Sequence, residues 1–345
     1  MWKRYLYPSR LARCFAVTVV LAALATHDLA AQSPRSAERV IQLAPLAADG
    51  VTPVVTAMAI DPTSETLAVA GDDKSIRILQ AKDLQQIAVL TGHRDIIRAL
   101  AFRSDGKVLA SSGNDGNVIL WRTQPEYDEL RRISELPAVC SLRFSPDGTQ
   151  LAGVGFGPEV LMFGGTLNRE EMVCDCTDLR CLAFDPKGKR LVAVGRAGHV
   201  HWFDVASGRD LGHQDIHKGR IRQCAFTSNG ERMITVGEDG AAVLFDVERT
   251  EVLRRIDLLP CKLFAFANID DRRIAVAGSD NLIRIIDFET GTVISQLDGH
   301  RGSISSLVYF NGSLFSGGFD ATVRQWSVAA DRGERVAENE PVTSR

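Results

Sequence analysis

Short hydrophobic runs alternate with polar turns along most of the chain. Runs such as Ile97–Phe102 and Val108–Ser112 are joined by turns such as Ser104-Asp105-Gly106. Alternating apolar residues between turns that contain Gly, Asp, Asn or Pro are typical of β-strands joined as hairpins. The pattern therefore predicts an all-β fold.

One segment of the pattern recurs throughout the chain. It consists of a short apolar run, a glycine, a turn, and a further alternating run that ends in a large apolar residue. Spaced 40 to 42 residues apart, the seven glycines are Gly71, Gly113, Gly155, Gly195, Gly237, Gly278 and Gly318. Each copy carries signals for four strands, the fourth more polar than the others, as in Leu130–Leu136. A fixed period of this length indicates a repeat architecture, here seven small antiparallel sheets.

The repeat resembles the WD-repeat β-propeller family. The residues that carry the resemblance are the dipeptides Gly92-His93 and Gly299-His300 and the third-strand tryptophans Trp121 and Trp326. The resemblance covers about Glu38 to Val328 and implies a seven-bladed β-propeller. No copy keeps a literal Trp-Asp pair, and the third and fourth copies lack the turn aspartate, so the repeats are degenerate.

The resemblance also implies a structural role for several polar residues. In the family, a His, a Ser or Thr, the turn Asp and the Trp form a buried hydrogen-bonded set. Two copies can form it completely, with His93, Ser111, Asp115 and Trp121, and with His300, Ser316, Asp320 and Trp326. A third copy has His217, Thr235 and Asp239, with Phe245 in place of the tryptophan. We assign all of these residues to structure rather than to catalysis.

A strand near the N-terminus is predicted to close the ring. Only six of the seven copies are followed by a polar fourth strand. Upstream, Arg39–Leu43 resembles the fourth strand that contains Arg131-Arg132-Ile133. We predict that it is the outer strand of the last blade, an arrangement that protects sheet edges, and that the propeller spans residues 39–329.

The first residues predict export. A basic start is followed by an apolar stretch, Cys14–Ala25, and by the small residues of Leu29-Ala30-Ala31-Gln32, the order of a secretory signal. We predict a signal peptide over residues 1–31, a flexible lead-in over 32–38, and a disordered charged tail over 330–345. The product would be periplasmic or secreted, with no membrane span. Without cleavage, the chain would be membrane-tethered.

Composition restricts the class of function. With 45% hydrophobic and 24% charged residues, the chain is globular rather than disordered. A pI near 6.2 argues against a nucleic-acid binder. Cleavage would remove four basic residues and one acidic residue, leaving a formal charge of −6. Six cysteines would remain. Cys174, Cys176 and Cys181 lack the spacing of a zinc motif. Because Cys140, Cys181 and Cys224 fall in first strands, we expect buried free thiols, and a disulfide among the six is the alternative if the chain is exported.

One position of the first strand concentrates positive charge. It lies four residues before the strand-ending residue, and in the family it opens onto the mouth of the central channel. Its seven occupants are predicted to be Thr56, Arg98, Cys140, Arg180, Arg222, Lys262 and Ser305. The predicted partner site combines the cations with residues of the neighbouring turns and loops: Arg98, Arg180, Arg196, Arg220, Arg222, Lys262, Phe156 and Phe319. Converging cations attract an anionic partner, whereas the alternative is that these side chains only extend into solvent.

No enzyme motif is present in the sequence, so we predict a non-enzymatic scaffold. Its predicted partner is an acidic protein segment, with no cofactor, metal or nucleic acid, and the chain is predicted to be monomeric. His199, His201 and His213, with His217, could gather at a strand edge and bind a transition metal. The two-residue spacing of His199 and His201 fits metal ligation or an exposed face equally well. The alternative functions are a small-anion binder, or a metal-dependent enzyme, that uses the same mouth.

Overall fold

The computed structural model describes residues 35–46, 50–63, 65–124, 126–164, 169–174 and 177–328. The described residues all belong to one compact unit. The predicted signal peptide and charged tail, and the start of the lead-in, lie outside the described residues. Within the described ranges, no helix is long and apolar enough to cross a membrane.

Every named element of the described chain is a β-strand. In chain order they are β1 Arg39–Gln42, β2 Val55–Ile60, β3 Thr66–Gly71, β4 Ser75–Gln80, β5 Gln86–Thr91, β6 Ile97–Phe102, β7 Val108–Gly113, β8 Val118–Arg122, β9 Asp128–Ile133, β10 Val139–Phe144, β11 Leu151–Gly155, β12 Glu159–Phe163, β13 Arg169–Val173, β14 Leu179–Phe184, β15 Arg190–Gly195, β16 His199–Asp204, β17 Asp210–Asp215, β18 Ile221–Phe226, β19 Arg232–Gly237, β20 Ala241–Asp246, β21 Glu251–Asp257, β22 Leu263–Asn268, β23 Arg273–Gly278, β24 Ile283–Asp287, β25 Thr292–Leu297, β26 Ile304–Phe310, β27 Ser313–Gly318 and β28 Thr322–Ser327.

These strands form seven antiparallel four-stranded sheets, the blades of a propeller. Blade one is β2–β5, and each following group of four strands forms the next blade up to blade six, β22–β25. In blade seven the order is β1-β28-β27-β26. The predicted all-β, seven-bladed fold is confirmed.

Burial explains the polarity of each strand. In blade one every residue of the second strand, β3, is buried, because neighbouring blades cover both faces. The outer strand of blade two, β9, is mostly exposed. Apolar clusters lie between adjacent blades, as where Val118 and Leu120 of blade two pack with Leu142 of blade three. The core is therefore a ring of seven inter-blade layers.

The two ends of the described ring meet in blade seven. Strand β1 pairs antiparallel with β28, with Arg39 opposite Gln325 and Gln42 opposite Thr322. The strand ends one residue before the predicted boundary, and Leu43 turns inward to pack with Phe315. Before β1, the backbone of Arg35 forms a parallel bridge with Leu297 of blade six. The N-terminal strand is thus the outer strand of the last blade.

Turns between the second and third strands bind the loop that leads from their blade to the next blade. Gly116 has a φ of 69°, and its carbonyl accepts a hydrogen bond from the Leu136 amide. A Cβ atom at this position would lie 2.5 Å from the Leu136 carbonyl oxygen. Glycine is required here for both its φ and its size. Since these turns and the entering loops lie at the same end of each blade, they surround one mouth of the channel.

Candidate interaction site at the channel mouth

A β-bulge near the start of every first strand builds the channel mouth. In blade two, Ile97 faces Gly113 but Ala99 faces Ser112, so Arg98 has no partner in the ladder. The same shift occurs in the other six blades. Bulges re-aim a side chain and end regular pairing. We call these seven positions the bulge ring: Thr56, Arg98, Cys140, Arg180, Arg222, Phe264 and Ser305.

Blade six requires one correction to the predicted ring. The sequence alignment placed Lys262 there, because it took Phe266 as the strand-ending residue. In the structure Leu263 faces Gly278 and Ala265 faces Ala277, so the bulge residue is Phe264. Lys262 lies just before the strand, exposed, with its Nζ 3.8 Å from Glu238. A phenylalanine therefore replaces one predicted cation in the ring.

All seven bulge-ring residues line a cavity of about 190 Å³. The lining includes three arginines of the bulge ring from three different blades, Arg98, Arg180 and Arg222. It also includes a fourth arginine, Arg143. Sequence reasoning missed Arg143. It occupies the place in β10 where β2 and β6 have Ala59 and Ala101, so a charge at an otherwise apolar position was the available signal.

Aromatic and acidic neighbours orient Arg180. Its guanidinium lies 4.5 Å from the centroid of the Phe156 ring, within cation–π range. It forms an ion pair with Asp178, which also binds Arg220 at 2.8 Å. Phe156 is 47% exposed. The half-buried cation and its open aromatic partner make an amphipathic contact surface.

Burial and neighbouring charges both act on Arg222. Burial lowers the pKa of its guanidinium, and the nearby Arg180 and Arg220 lower that pKa further, against the opposing effect of Glu238. Arg222 lies 3.4 Å from Glu238 and 5.2 Å from the centroid of the Phe264 ring. Arg222 therefore lies close to other cations, and Asp178 and Glu238 both pair with this group of arginines.

Arg98 both lines the cavity and reaches solvent, whereas the remaining predicted site residues lie around the mouth. Arg98 is exposed, and its Nε donates to Asn114 at 2.9 Å. Arg220 bridges Asp178 and Glu238. Arg196 is exposed on the turn of blade four. Phe319 is 55% exposed on the turn of blade seven, whereas the cavity-lining arginines come from blades two to five.

The predicted structural sets are present in blades two and seven. In blade seven His300 lies 3.0 Å from Asp320, and its Nε2 accepts from the Ser316 hydroxyl at 2.7 Å. The Trp326 indole donates to the same hydroxyl oxygen at 2.8 Å. Blade two has equivalent contacts among His93, Ser111, Asp115 and Trp121. Burial lowers the pKa of His300 despite its aspartate, so the neutral ring donates from Nδ1 and accepts at Nε2.

Other blades replace parts of the set. In blade five His217 is 2.8 Å from both Asp239 and Thr235. Arg255 adds a 2.8 Å ion pair to the same aspartate. In blade one a buried arginine, Arg77, takes the histidine's role and binds Asp73 at 2.7 Å. Blade six has the equivalent pair Arg284 and Asp280 at 2.6 Å. The sequence analysis missed these two arginine substitutes.

Two further groups concern possible metal or redox chemistry. His199, His201 and His213 come together on blade four, whereas His217 belongs to the blade-five set. Among the described residues, four cysteines are free, namely Cys140, Cys181, Cys224 and Cys261, and Cys140 is only partly buried. Cys174 is disulfide-bonded, so the expectation of a free thiol is wrong there. Cys176 lies outside the described residues.

Comparison with known proteins identifies the repeat. The family model of the WD domain, G-beta repeat, matches residues 49–79, 84–122, 208–246 and 291–327. The chain therefore contains WD repeats in these four segments and folds as a seven-bladed β-propeller. Each of the last three segments runs from an outer strand to the third strand of the next blade, and contains one of the histidine sets. Blade three and the first three strands of blade four, which carry Arg180, His199 and His201, lie outside the matched segments, whereas His213 lies within the third segment.

Curated relatives support the repeat over part of the chain. Coronin-7 of Homo sapiens is 36% identical over 168 residues, which cover 41% of this chain and 18% of the relative. CCR4-associated factor 4 homolog of Candida glabrata is 22% identical over 70% of this chain and 32% of the relative. Transducin beta-like protein 2 of Mus musculus is 29% identical over 31% of this chain and 26% of the relative. The matched region spans less than a third of each relative.

Proposed function

We propose that this WD-repeat propeller is an exported, non-enzymatic interaction platform whose channel mouth binds an acidic segment of a partner protein. WD-repeat propellers are typically protein-interaction scaffolds. The observation that carries the proposal is the bulge ring, where Arg98, Arg180 and Arg222 border one cavity. Cations that converge on a concave, low-dielectric surface focus the potential and raise the local concentration of anions.

Arginine chemistry favours carboxylate ligands at this mouth. The planar guanidinium presents paired donors that match a carboxylate, and its weak hydration lowers the cost of binding. Asp178 and Glu238 already hold the side chains of Arg180, Arg220 and Arg222 in place. Less conformational entropy then remains to be lost when a ligand binds.

The mouth is asymmetric, which suggests how a segment would lie. Its arginines come from blades two to five, whereas blades one and seven contribute the neutral Thr56 and Ser305 to the ring. An acidic segment would lie along the arginine side, with an apolar residue against exposed Phe156. A peptide with acidic residues on both sides of one aromatic residue is the simplest ligand of this kind.

The non-enzymatic part of the proposal rests on where the reactive-looking residues are used. The His–Asp pairs of blades two, five and seven are buried in hydrogen-bonded sets that join a turn to the strand before it. Such pairs are structural. The cavity at the mouth is lined instead by arginines, neutral side chains and the thiols of Cys140 and Cys181.

A peptide-binding experiment tests the mouth. A labelled acidic peptide with one central Phe should bind the wild-type protein in fluorescence anisotropy, whereas the same peptide with Lys in place of Glu should not. The triple variant Arg98→Glu, Arg180→Glu, Arg222→Glu should abolish binding. The control is Arg209→Glu, an exposed arginine between the third and fourth strands of blade four, at the opposite end of the blade.

The outcome of that experiment is clear in either direction. The site is supported if binding weakens as the salt concentration is raised and if only the triple variant loses binding. Equal binding by the triple variant and the Arg209→Glu control contradicts it. Circular dichroism of both variants establishes that each is folded. Affinity capture from the native host should likewise lose acidic partners with the triple variant alone.

Export is tested separately. The basic start, the apolar stretch and the small residues before Gln32 support a cleaved signal. N-terminal sequencing of the mature protein should begin at Gln32. A product that retains Met1 in the membrane fraction would instead support a tethered propeller.

A small-anion binder is the second candidate, because Arg143 adds a further cation within the cavity lining. Calorimetric titration with inorganic phosphate separates the two functions. Phosphate binding that Arg143→Ala abolishes, without acidic-peptide binding, would favour this alternative over the protein scaffold.

A further inference from the structure

Four metal-ligating side chains lie on one face of blade four. His199 and His201 are two residues apart on β16, so they point to the same side of the sheet. Across the ladder, His213 is opposite His201 and Asp215 is opposite His199. The two strands thus present a square of three imidazoles and one carboxylate.

A bulge in the outer strand is what brings His213 to this face. Phe203 faces Asp210, but Trp202 faces Gly212, so Leu211 is left without a partner between them. In a regular ladder without the bulge, Gly212 would lie opposite His201, and His213 would lie on the other face of the sheet. The extra residue shifts the register by one and aligns the two histidines.

The rings are already in mutual contact. His199 and His213 are stacked, with centroids 4.7 Å apart and an interplanar angle of 7°. His201 lies 5.1 Å from His213 and 5.9 Å from His199, measured between centroids. One ligand nitrogen of each ring lies within 4.8 Å of the others. In tetrahedral coordination with bonds of about 2.0–2.1 Å, ligand atoms are separated by about 3.3 Å, so a small rotation of the outer rings closes the difference.

The three histidines differ in burial, from buried to exposed, so the cluster is open to solvent on one side. His201 is 2% exposed and forms the inner side of the cluster. His199 is half-buried and His213 is exposed, so an ion has a direct path from solvent. Asp215 accepts from His199 Nε2 at 2.9 Å. A carboxylate next to a ligating histidine orients the ring, or becomes the fourth ligand itself.

We propose that His199, His201 and His213, together with Asp215, bind a divalent late transition-metal ion of which zinc is the representative. Imidazole ligands suit zinc, copper and nickel, whereas calcium and magnesium require oxygen ligands. The ion joins the third strand of blade four to its outer strand. This site is separate from the channel mouth, and it replaces the sequence-based prediction that no metal is bound.

Direct titration of the untagged protein tests the site. Chelator-treated wild type should bind a single zinc ion in isothermal titration calorimetry. The His199→Ala, His213→Ala double variant should lose that binding, and Asp215→Asn should weaken it by about ten- to a hundredfold. The matched control is Asp257→Asn, which removes a carboxylate at the same register position of blade five, where Asp257 faces Ala241.

A second measurement does not depend on the stability of the variants. Copper(II) added to the wild-type protein should give an electron paramagnetic resonance spectrum with hyperfine splitting from several nitrogen ligands. Absence of zinc binding by the wild type, or equal zinc binding by the double variant, would overturn the proposal. A copper spectrum without nitrogen coupling would overturn it as well. Loss of zinc binding in Asp257→Asn to the same degree as in Asp215→Asn would reassign the ion to a nonspecific carboxylate effect.

Discussion

Removal of one buried hydroxyl should destabilise blade seven more than blade five. In blade seven the Ser316 oxygen has two buried partners, His300 Nε2 at 2.7 Å and Trp326 Nε1 at 2.8 Å. In blade five Thr235 binds His217 Nε2 at 2.8 Å, and Phe245 has no N–H group to donate to it. Ser316→Ala therefore leaves two buried polar groups unpaired, and Thr235→Val leaves one.

The expected costs follow from the number of unpaired groups. A buried donor or acceptor without a partner costs about 1–3 kcal/mol. Thr235→Val should cost about that amount. Ser316→Ala should cost more than Thr235→Val but less than twice as much, because its partners belong to one connected network. The predicted difference in unfolding free energy is therefore the cost of the second unpaired group, at most about 1–3 kcal/mol.

Guanidinium denaturation followed by circular dichroism measures both costs, and Trp326→Phe supplies the control. In that background the indole N–H is already absent, so the cost of Ser316→Ala should fall by about 1–3 kcal/mol, towards that of Thr235→Val. Equal costs for Ser316→Ala in the two backgrounds would refute the shared-hydroxyl argument. So would a cost for Thr235→Val as large as that for Ser316→Ala.

Three further predictions concern pH, ring closure and turns. Burial lowers the pKa of His300 in the folded protein, so as pH falls the unfolded chain takes up a proton at this residue before the folded protein does. The free energy of unfolding should therefore decline as pH falls below about 6.5. Denaturation at several pH values should show a shallower decline in His300→Gln. Ile41→Pro removes a donor from the strand that closes blade seven; its melting temperature should fall, and an unchanged value would show that closure contributes nothing. Gly116→Ala should destabilise by more than about 1 kcal/mol because its φ is positive and Leu136 blocks a Cβ, whereas Gly164→Ala, with open space around it, should leave the melting temperature nearly unchanged.

Local sequence signals were sufficient for the architecture of the ring. The glycine spacing, the turn residues and the polarity of each fourth strand report on neighbours within about 40 residues of one another. The structural sets were also predictable, because residues such as His93 and Asp115 recur at fixed places in the repeat. The arginine substitutes Arg77 and Arg284 were not found. Each pairs with the turn aspartate from the third strand, whereas the histidines of other blades do so from the loop before the first strand.

Bulges decided the details of the mouth. In blade six the alignment took Phe266 as the strand-ending residue, because it matches the aromatic residues of other copies, whereas the strand continues to Asn268. Pairing with the second strand selects Phe264 as the bulge residue and moves Lys262 out of the ring. Which alignment applies depends on hydrogen bonds to a strand that comes later in the chain, so no local pattern determines it.

The sequence by itself determined that the chain folds as seven four-stranded blades, because hydrophobic period and turn chemistry act over a few residues and repeat seven times. It also determined that His199 and His201 share a face, because alternation within one strand is local. Only the tertiary structure decided that His213 joins them. That outcome depends on the unpaired Leu211 in the ladder between β16 and β17, and a one-residue shift in register exchanges the two faces of a strand.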